Sequence, residues 1–374
     1  MKKSLLVIMA LLCALTLLAG CGAKNEEPET TAPAAPVTTE KETVDLMNIN
    51  PLTGEYFYPD ESVGHRPVAV MVNNVPEAMP QYGIEAADIV YEIPVEGNQT
   101  RFLAIYPDYN TLPDICSVRS CRYYYPALAL GYDAIYIHWG IDYTIYPYYN
   151  SLDMDKYDLN ILDDDPTGLA SRDQERLSQQ YNLEHTSVFH GTNLPKVLKE
   201  DDVRLELKDD MKDTAFKFSD PLKDPVIPTG ENCTDVYIRF GGQDARLAYD
   251  ATTNKYLKYI YDEEQIDGRT KKQLAFTNVI ILETTITSRD EVDHKHVEWE
   301  GGDDSSAYWI SNGKMQKIHW KKADEYSRLK LYDEDGKELT INPGKTYIAI
   351  NYYDSTYFSD PMSETEEESG EADE

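Results

Sequence analysis

The chain has 374 residues and a formal net charge of −32, with 67 acidic and 35 basic residues. Such a negative field disfavours nucleic acid and anionic lipid headgroups as partners, because both carry charge of the same sign. The length leaves room for two domains with hydrophobic cores of their own.

Residues 1–20 predict a bacterial lipoprotein signal peptide. Lys2 and Lys3 form a positive n-region, and Leu5–Leu18 is an apolar run too short to span a bilayer comfortably. Leu18-Ala19-Gly20-Cys21 resembles the lipobox of bacterial lipoproteins. That resemblance implies that the Cys21 sulfur carries acyl chains such as palmitate, and that Cys21 becomes the N-terminus after cleavage. We therefore expect a lipid-anchored protein on the extracytoplasmic face of the cell membrane.

Two polar segments flank the part that is expected to fold. Residues 21–47 are rich in Pro, Thr, Ala and Glu and have little aliphatic bulk, so they predict a flexible tether. At the other end, Ser359–Glu374 has eight acidic residues and no basic one, which is typical of a solvated, self-repelling tail. Loss of Lys2 and Lys3 leaves 33 basic against 67 acidic residues in the mature chain.

A Pro-rich passage within Met211–Cys233 interrupts regular structure and predicts a domain boundary. We assign residues 48–220 to an N-terminal mixed α/β domain and residues 230–356 to a C-terminal β-rich domain. The fold class predicted for the whole chain is α+β.

The first of these domains combines strand-like and helix-like segments. Apolar and β-branched runs predict strands at Pro67–Asn73, Ala87–Pro94, Arg101–Tyr106 and Ala134–His138, with a helix over Tyr123–Leu130. The second domain consists of alternating strands, which indicates a mostly antiparallel sheet. Those strands are predicted at Asp235–Phe240, Arg246–Tyr249, Tyr256–Tyr261, Asn278–Thr284, Ala307–Ile310, Arg328–Tyr332 and Thr346–Tyr352.

A resemblance to a known family rests on Pro67–Asn74, Ala87–Glu92, Glu96–Gly97, Thr100–Phe102, Val118–Arg122, Tyr132–His138 and Asn342–Thr346. Together these segments resemble the YerB family of bacterial lipoproteins. The resemblance covers roughly Asn50 to Tyr352 and implies a lipoprotein with a polar, charged cluster in its first domain. Both halves of that family are domains of unknown function, so the resemblance implies no particular reaction.

The first domain carries the residue types of a binding or catalytic site. Arg119 and Arg122 flank the start of the predicted helix, where guanidinium groups and helix N–H groups could converge on a carboxylate or phosphate. His138 ends a predicted strand, and strand ends are common places for sites. The full set of candidate ligand-binding or catalytic residues is Glu92, Glu96, Arg101, Arg119, Arg122, His138, Asp142, Arg172 and His185.

Two functions remain open for this set. The chain could be a binding or regulatory lipoprotein that recognises an anionic cell-wall fragment or an envelope protein. It could instead be an enzyme that acts on cell-wall polymer through the Glu, Arg and His residues. A third arrangement has no ligand, with Arg119 and Arg122 paired to Glu92 and Glu96 in a structural salt-bridge network.

The sequence predicts no metal ion and no cofactor. The acidic run from Asp153 to Asp165 lacks the glycine that a calcium loop requires at its turn. Another candidate set, whose members would share one face of a strand, is His294, His296, Glu298 and Glu300. That geometry suits metal ligands, but exposed strand faces are usually only polar.

The cysteines leave one covalent question open. Cys116 and Cys121 could form a disulfide in an oxidising exterior if a turn brings their Cα atoms within about 7 Å. A straight strand would hold them roughly 16 Å apart.

Overall fold

The computed structural model describes residues 48–161 and 166–360. The predicted signal peptide, Cys21, the tether and nearly all of the acidic tail lie outside the described residues. No helix in the described ranges is both long and apolar enough to cross a membrane.

The described part contains many short strands and four short α-helices. In the first half the strands are β1 Val68–Asn73, β2 Ile89–Pro94, β3 Thr100–Tyr106, β4 Asp114–Cys116, β5 Ile135–His138, β6 Lys156–Asp158, β7 Ala170–Arg172, β8 Ser187–His190 and β9 Lys217–Phe218. The helices are α1 Tyr124–Leu130, α2 Tyr146–Ser151, α3 Gln174–Ser178 and α4 Leu194–Glu200.

The second half is built from strands. They are β10 Asp235–Arg239, β11 Asp244–Asp250, β12 Lys255–Ile260, β13 Glu263–Glu264, β14 Ala275–Phe276, β15 Asn278–Thr284, β16 Ile286–Ser288, β17 Lys295–Val297, β18 Gly301–Ser311, β19 Lys314–Lys321, β20 Lys330–Tyr332, β21 Thr340–Ile341, β22 Thr346–Tyr352 and β23 Thr356–Ser359. Most neighbouring pairs among them are antiparallel, and the β15–β22 pair is parallel.

These elements confirm the predicted α+β class, with a mixed first half and a second half rich in antiparallel strands. The predicted helix agrees with α1, all of whose side chains are buried. The apolar runs predicted as strands are strands in the structure. Several of them, including β1, β3 and β15, are buried along their whole length, which explains why their sequences are continuously apolar.

One ten-stranded sheet joins the two halves of the chain. Its order is β20-β19-β18-β15-β22-β2-β3-β1-β5-β6, and the halves meet where β2 pairs in parallel with β22, from Ile89 opposite Thr346 to Glu92 opposite Ala349. Residues from both halves also contribute to both large core clusters, one on each face of this sheet. The division into two separate domains stays a prediction, and this shared sheet is the structural fact that bears on it.

The two faces of the sheet are covered differently. On one face, Ala69 and Met71 of β1 belong to the core that includes α1. On the other, Val68 and Val70 belong to the core that includes a second, six-stranded sheet formed by β10–β14 and β23. This alternation along β1 follows from the two-residue period of a strand.

The strand directions define one edge of the large sheet. Strands β15, β22, β2, β1, β5 and β6 all run the same way, because the parallel pairs are linked through β3, which is antiparallel to both β2 and β1. Their C-terminal ends therefore lie along one side of the sheet, here called the carboxyl edge. Ligands of open α/β sheets commonly bind beyond such an edge.

Candidate functional site: an arginine cluster at the carboxyl edge

The predicted arginines gather at the carboxyl edge. Arg101 lies at the start of β3, next to the end of β1 where it pairs with Asn73. The segment that carries Arg119 crosses the ends of β1 and β5: the Arg119 N–H donates to the Met71 carbonyl, and the Trp139 N–H donates to the Arg119 carbonyl. We call Arg101, Arg119 and Arg122 the arginine cluster.

Glu96 is the carboxylate inside this cluster. Arg122 donates through Nε to Glu96 Oε2 at 2.9 Å and through Nη2 to Oε1, while Arg101 Nη2 donates to the same Oε1 at 2.6 Å. Arg101 Nη1 donates to the main-chain carbonyl of Ser120, and Arg122 Nη1 donates to that of Cys121. One carboxylate therefore pairs with two guanidinium groups, so Glu96, Arg101 and Arg122 together keep a positive charge.

The pKa values follow from this geometry. Burial alone would raise the pKa of Glu96, but the charges of Arg101 and Arg122 outweigh it and hold that pKa well below its usual range. Burial and the neighbouring Arg122 charge lower the pKa of Arg101 to about 10, against the opposing effect of Glu96, and Arg119 adds to the lowering. The positive charges of Arg122 and Arg119 therefore both act on Arg101.

Arg119 is the most accessible member of the cluster. Its side chain is 18% exposed, and its ion-pair partner, Glu184 at 3.1 Å, is itself about half exposed. Its Nε is buried and has no hydrogen-bond acceptor among the described residues, and the same holds for the nearby hydroxyl of Ser117. Buried donors without an acceptor are rare and indicate a missing water, ion or ligand.

Glu92 does not join the arginine cluster. It is fully buried, accepts hydrogen bonds from Asn74, Thr100 and Tyr347, and forms an ion pair with the fully buried Lys258 at 3.0 Å. Burial lowers the pKa of Lys258. The structural network considered from the sequence is therefore correct for Arg122 with Glu96 and wrong for Glu92, whose charge Lys258 neutralises.

His138 is also enclosed. Because the Gly140 carbonyl can only accept, the proton lies on Nδ1, which donates to it at 2.8 Å, and Nε2 accepts from the Tyr149 hydroxyl at 2.6 Å. Burial lowers the pKa of His138 in spite of the nearby Asp158. A neutral imidazole with both nitrogen atoms engaged has no free position for a substrate proton.

Asp142 belongs to a separate ion-pair group. It caps the short 3₁₀ helix that follows it through Thr144, and it accepts from Arg289, which also reaches Asp290. Ligand atoms of Asp142, Asp290 and His294 lie within 4.8 Å of one another, close enough for a metal ion. The Arg289 guanidinium donates to both carboxylates and the His294 ring is hydrogen-bonded to Asp290, so these side chains have partners without an ion.

Arg172 and His185 lie beside the cluster on neighbouring segments. Arg172 stacks over the Trp139 ring at 4.3 Å and donates to the Leu183 carbonyl and to the Ser187 hydroxyl. His185 is buried, and its Nδ1 accepts from the Asn73 amide at 2.9 Å. Burial lowers the pKa of His185.

Of the nine predicted residues, only Arg172 lines one of three clefts found in the described ranges, which have volumes of about 1370, 600 and 500 Å³. The smallest is lined by Arg172 and by three cations that the sequence did not single out, Arg176, Arg269 and Lys271. The arginine cluster lines none of these three clefts, and basic side chains line the smallest of them.

Two of those added arginines are held by packing between distant parts of the chain. Arg176 is buried and donates to the main-chain carbonyls of Ala78, Pro80 and His185. Arg269 stacks over the ring of Tyr82 at 4.0 Å. Nothing in the local sequence of either arginine indicates these contacts.

The cysteines among the described residues form no disulfide. Cys116, Cys121 and Cys233 are all free and buried. Burial raises the pKa of Cys116 to about 11 and that of Cys121 to about 12, so neither thiol is an activated nucleophile.

Comparison with known proteins matches two family models along the chain. Residues 52–204 match the "Protein of unknown function (DUF3048) N-terminal domain", and residues 236–348 match the corresponding C-terminal domain. The chain belongs to this two-part family. Its members include a Bacillus subtilis (strain 168) protein named "Putative lipoprotein YerB", which is 28% identical over 357 residues, covering 93% of this chain and 95% of YerB.

A solved structure of a family member has the same fold. The crystal structure of YerB from Bacillus subtilis superposes with a TM-score of 0.71 at 27% sequence identity, covering 84% of this chain and all of that one. The resemblance to the YerB family inferred from the sequence motifs is thereby confirmed. The similarity supports a lipoprotein, and it leaves the ligand of the arginine cluster open.

Proposed function

We propose that this YerB-family protein is a binding lipoprotein of the cell envelope that recognises an anionic group of the cell wall through its arginine cluster. The observation that carries the proposal is Arg119, a partly exposed cation whose buried Nε–H has no acceptor in the described structure. An anionic oxygen would supply that acceptor with a charge-assisted hydrogen bond.

The local charge supports the same ligand chemistry. On a chain with a net charge of −32, three clustered arginines meet only two carboxylates, Glu96 and Glu184, as ion-pair partners among the described residues. The cluster lines none of the three clefts, which suits a group carried by an extended polymer better than a small molecule, because small-molecule sites are usually enclosed clefts.

The surroundings of Glu92, Glu96 and His138 do not favour the alternative of a wall-degrading enzyme. Glu92 and His138 are fully buried and engaged with internal partners, and Glu96 is held as a carboxylate between two arginines. General acid or base catalysis requires a group within hydrogen-bond reach of the substrate. Binding is therefore the better supported class.

Membrane attachment is part of this proposal. Cys21 would carry the acyl chains, and residues 21–47 would hold the folded part away from the bilayer, at the level of the wall. Anchoring keeps the binding surface at a high local concentration near its target, so a modest affinity for each anionic group is sufficient.

The test is a calorimetric titration of the purified protein with two anionic wall fractions, a phosphodiester polymer and a carboxylate-bearing peptidoglycan fragment. Arg119→Ala should weaken binding about ten-fold or more, as expected for loss of a charge-assisted hydrogen bond. Arg246→Ala is the matched control, because Arg246 is also partly exposed and paired with one carboxylate, Asp235, on the other sheet. Equal binding by wild type and Arg119→Ala would refute the proposal.

A further inference from the structure

A pocket with charge opposite to that of the arginine cluster lies along the same carboxyl edge. It has a volume of about 600 Å³ and is lined by the end of β15 at Glu283–Thr284 and by Tyr353, just beyond the end of β22. That volume is within the range of small-ligand sites, about 300–1,000 Å³. It shares no residue with the arginine cluster.

The charge of this pocket is entirely negative. Five carboxylates line it, from Glu283, Glu298, Glu300, Asp303 and Asp304, and its lining contains no lysine or arginine. Among the described residues, no hydrogen bond or ion pair reaches the side-chain carboxylates of Glu298 and Asp304. Lys321, which lies outside the lining, pairs with Asp303 at 3.4 Å.

Aromatic side chains form the rest of the wall. Trp299 and Trp320 line the pocket together with Tyr123 and Tyr353. Trp299 already has a cation near one face, since the Lys322 ammonium lies 5.5 Å from its ring centroid. Carboxylates combined with aromatic faces form the usual binding environment of organic ammonium groups.

The backbone is irregular where it lines the pocket. Pairing of β18 with β19 is irregular between Gly302 and Ala307, so Asp303 and Asp304 lie on a bulge. Gly301 has a φ of +64°, and a Cβ there would meet the Trp320 carbonyl oxygen at 2.4 Å. Only glycine fits this close approach.

One of the lining residues, Trp320, also has a buried donor without a partner. Trp320 is 1% exposed, and its indole Nε1–H has no acceptor in the described structure. Buried polar groups of this kind call for an explanation. A ligand that carries an oxygen atom next to its ammonium group would supply both the missing acceptor and the cation.

A metal ion is less consistent than an organic ammonium group with the residues that line this pocket. The group of three potential ligands close enough for a metal ion in the described ranges is Asp142, Asp290 and His294, none of which lines this pocket. We propose that the acidic aromatic pocket binds an organic ammonium group with a neighbouring oxygen acceptor. Both a quaternary ammonium of the choline type and the primary amine of an amino-acid ester or peptide have this chemistry.

The experiment is a fluorescence titration of the full chain, because two of its four tryptophans line the pocket. The probes are choline, D-alanine methyl ester, calcium chloride and 3,3-dimethylbutan-1-ol, the neutral isostere of choline. We expect a saturable response to at least one ammonium probe and none to the neutral isostere. Choline and the ester distinguish the quaternary from the primary source.

The control must separate a local site from the general attraction of a very negative protein for cations. Glu298→Gln with Asp304→Asn removes two pocket charges, and Glu334→Gln with Asp335→Asn removes two charges from an exposed turn elsewhere. The first pair should weaken ammonium binding about ten-fold, as for loss of direct ionic contacts, and the second should leave it nearly unchanged.

A second variant tests the aromatic wall without endangering the fold. Tyr353 is 52% exposed, and Tyr353→Leu should weaken choline binding roughly three-fold or more through loss of a cation–π contact. The proposal is overturned by equal effects of the two charge pairs, by an equal response to the neutral isostere, by saturation with calcium alone, or by no saturable response to either ammonium probe.

Discussion

Arg119 and Arg122 should differ sharply in their contribution to stability, although they lie three residues apart. Arg122 makes two hydrogen bonds to Glu96, which is 25% exposed, whereas Arg119 pairs with Glu184, which is about half exposed. Removal of one partner from a buried pair typically costs about 3–5 kcal/mol, and an exposed pair contributes about 0–1 kcal/mol.

For Arg122→Ala we expect a loss of about 2–4 kcal/mol in the free energy of unfolding, because Arg101 still neutralises part of the Glu96 charge. For Arg119→Ala we expect less than about 1 kcal/mol. Equilibrium urea unfolding, followed by circular dichroism, measures both values from the midpoint and slope. Arg122→Lys keeps the charge but loses the two-pronged geometry and should be intermediate.

Equal losses for the two alanine variants would refute the distinction between a structural Arg122 and a ligand-binding Arg119. A neutral Arg122→Ala would likewise show that Glu96 does not depend on this partner. The two variants should also separate in function: Arg119→Ala should keep the fold and lose anion binding.

The remaining predictions concern other parts of the chain. Glu92→Gln or Lys258→Met alone should cost about 3–5 kcal/mol in urea unfolding, while Glu92→Leu combined with Lys258→Met should cost much less; additive losses would contradict the buried pair. Burial raises the pKa of Asp88 to about 6, so its ionisation opposes folding as the pH rises from about 4 to 6. Asp88→Asn should therefore stabilise the protein at pH 7 by up to about 3 kcal/mol, and the gain should vanish below about pH 4. Cys21→Ser should release the protein from membranes in a fractionation assay, and unchanged retention would refute lipid anchoring. Proteolysis within 220–229 should leave two fragments that elute together in native gel filtration, because they share one sheet; separate elution would support independent domains.

The strands could be predicted because their apolar runs are long and continuous. Strands β1 and β15 are buried on both faces, so sequence alone was enough to locate them. Apolar runs could not predict that the two halves share one sheet, because the pairing of β2 with β22 joins segments that are far apart in the chain.

The candidate site was only partly predictable for a similar reason. Arg101 and Arg122 gather around Glu96 because the ends of neighbouring strands bring them together. The sequence motifs indicated those strand ends. The partner of Glu92, Lys258, comes from the other half of the chain. Buried and less buried side chains alternate along β12, and Lys258 occupies a buried position between Tyr256 and Ile260. A lysine at such a position indicates a buried carboxylate partner.

The ligand-binding role of Arg119 is tested most directly by nuclear magnetic resonance of arginine Nε–H groups during titration with an anionic wall fragment. The Arg119 Nε–H has no acceptor in the described structure, so its signal should shift downfield and become protected from exchange when an anionic oxygen binds. The Arg246 signal, from the arginine paired with Asp235, should not move. A saturating fragment that leaves the Arg119 signal unchanged would contradict the proposed binding site.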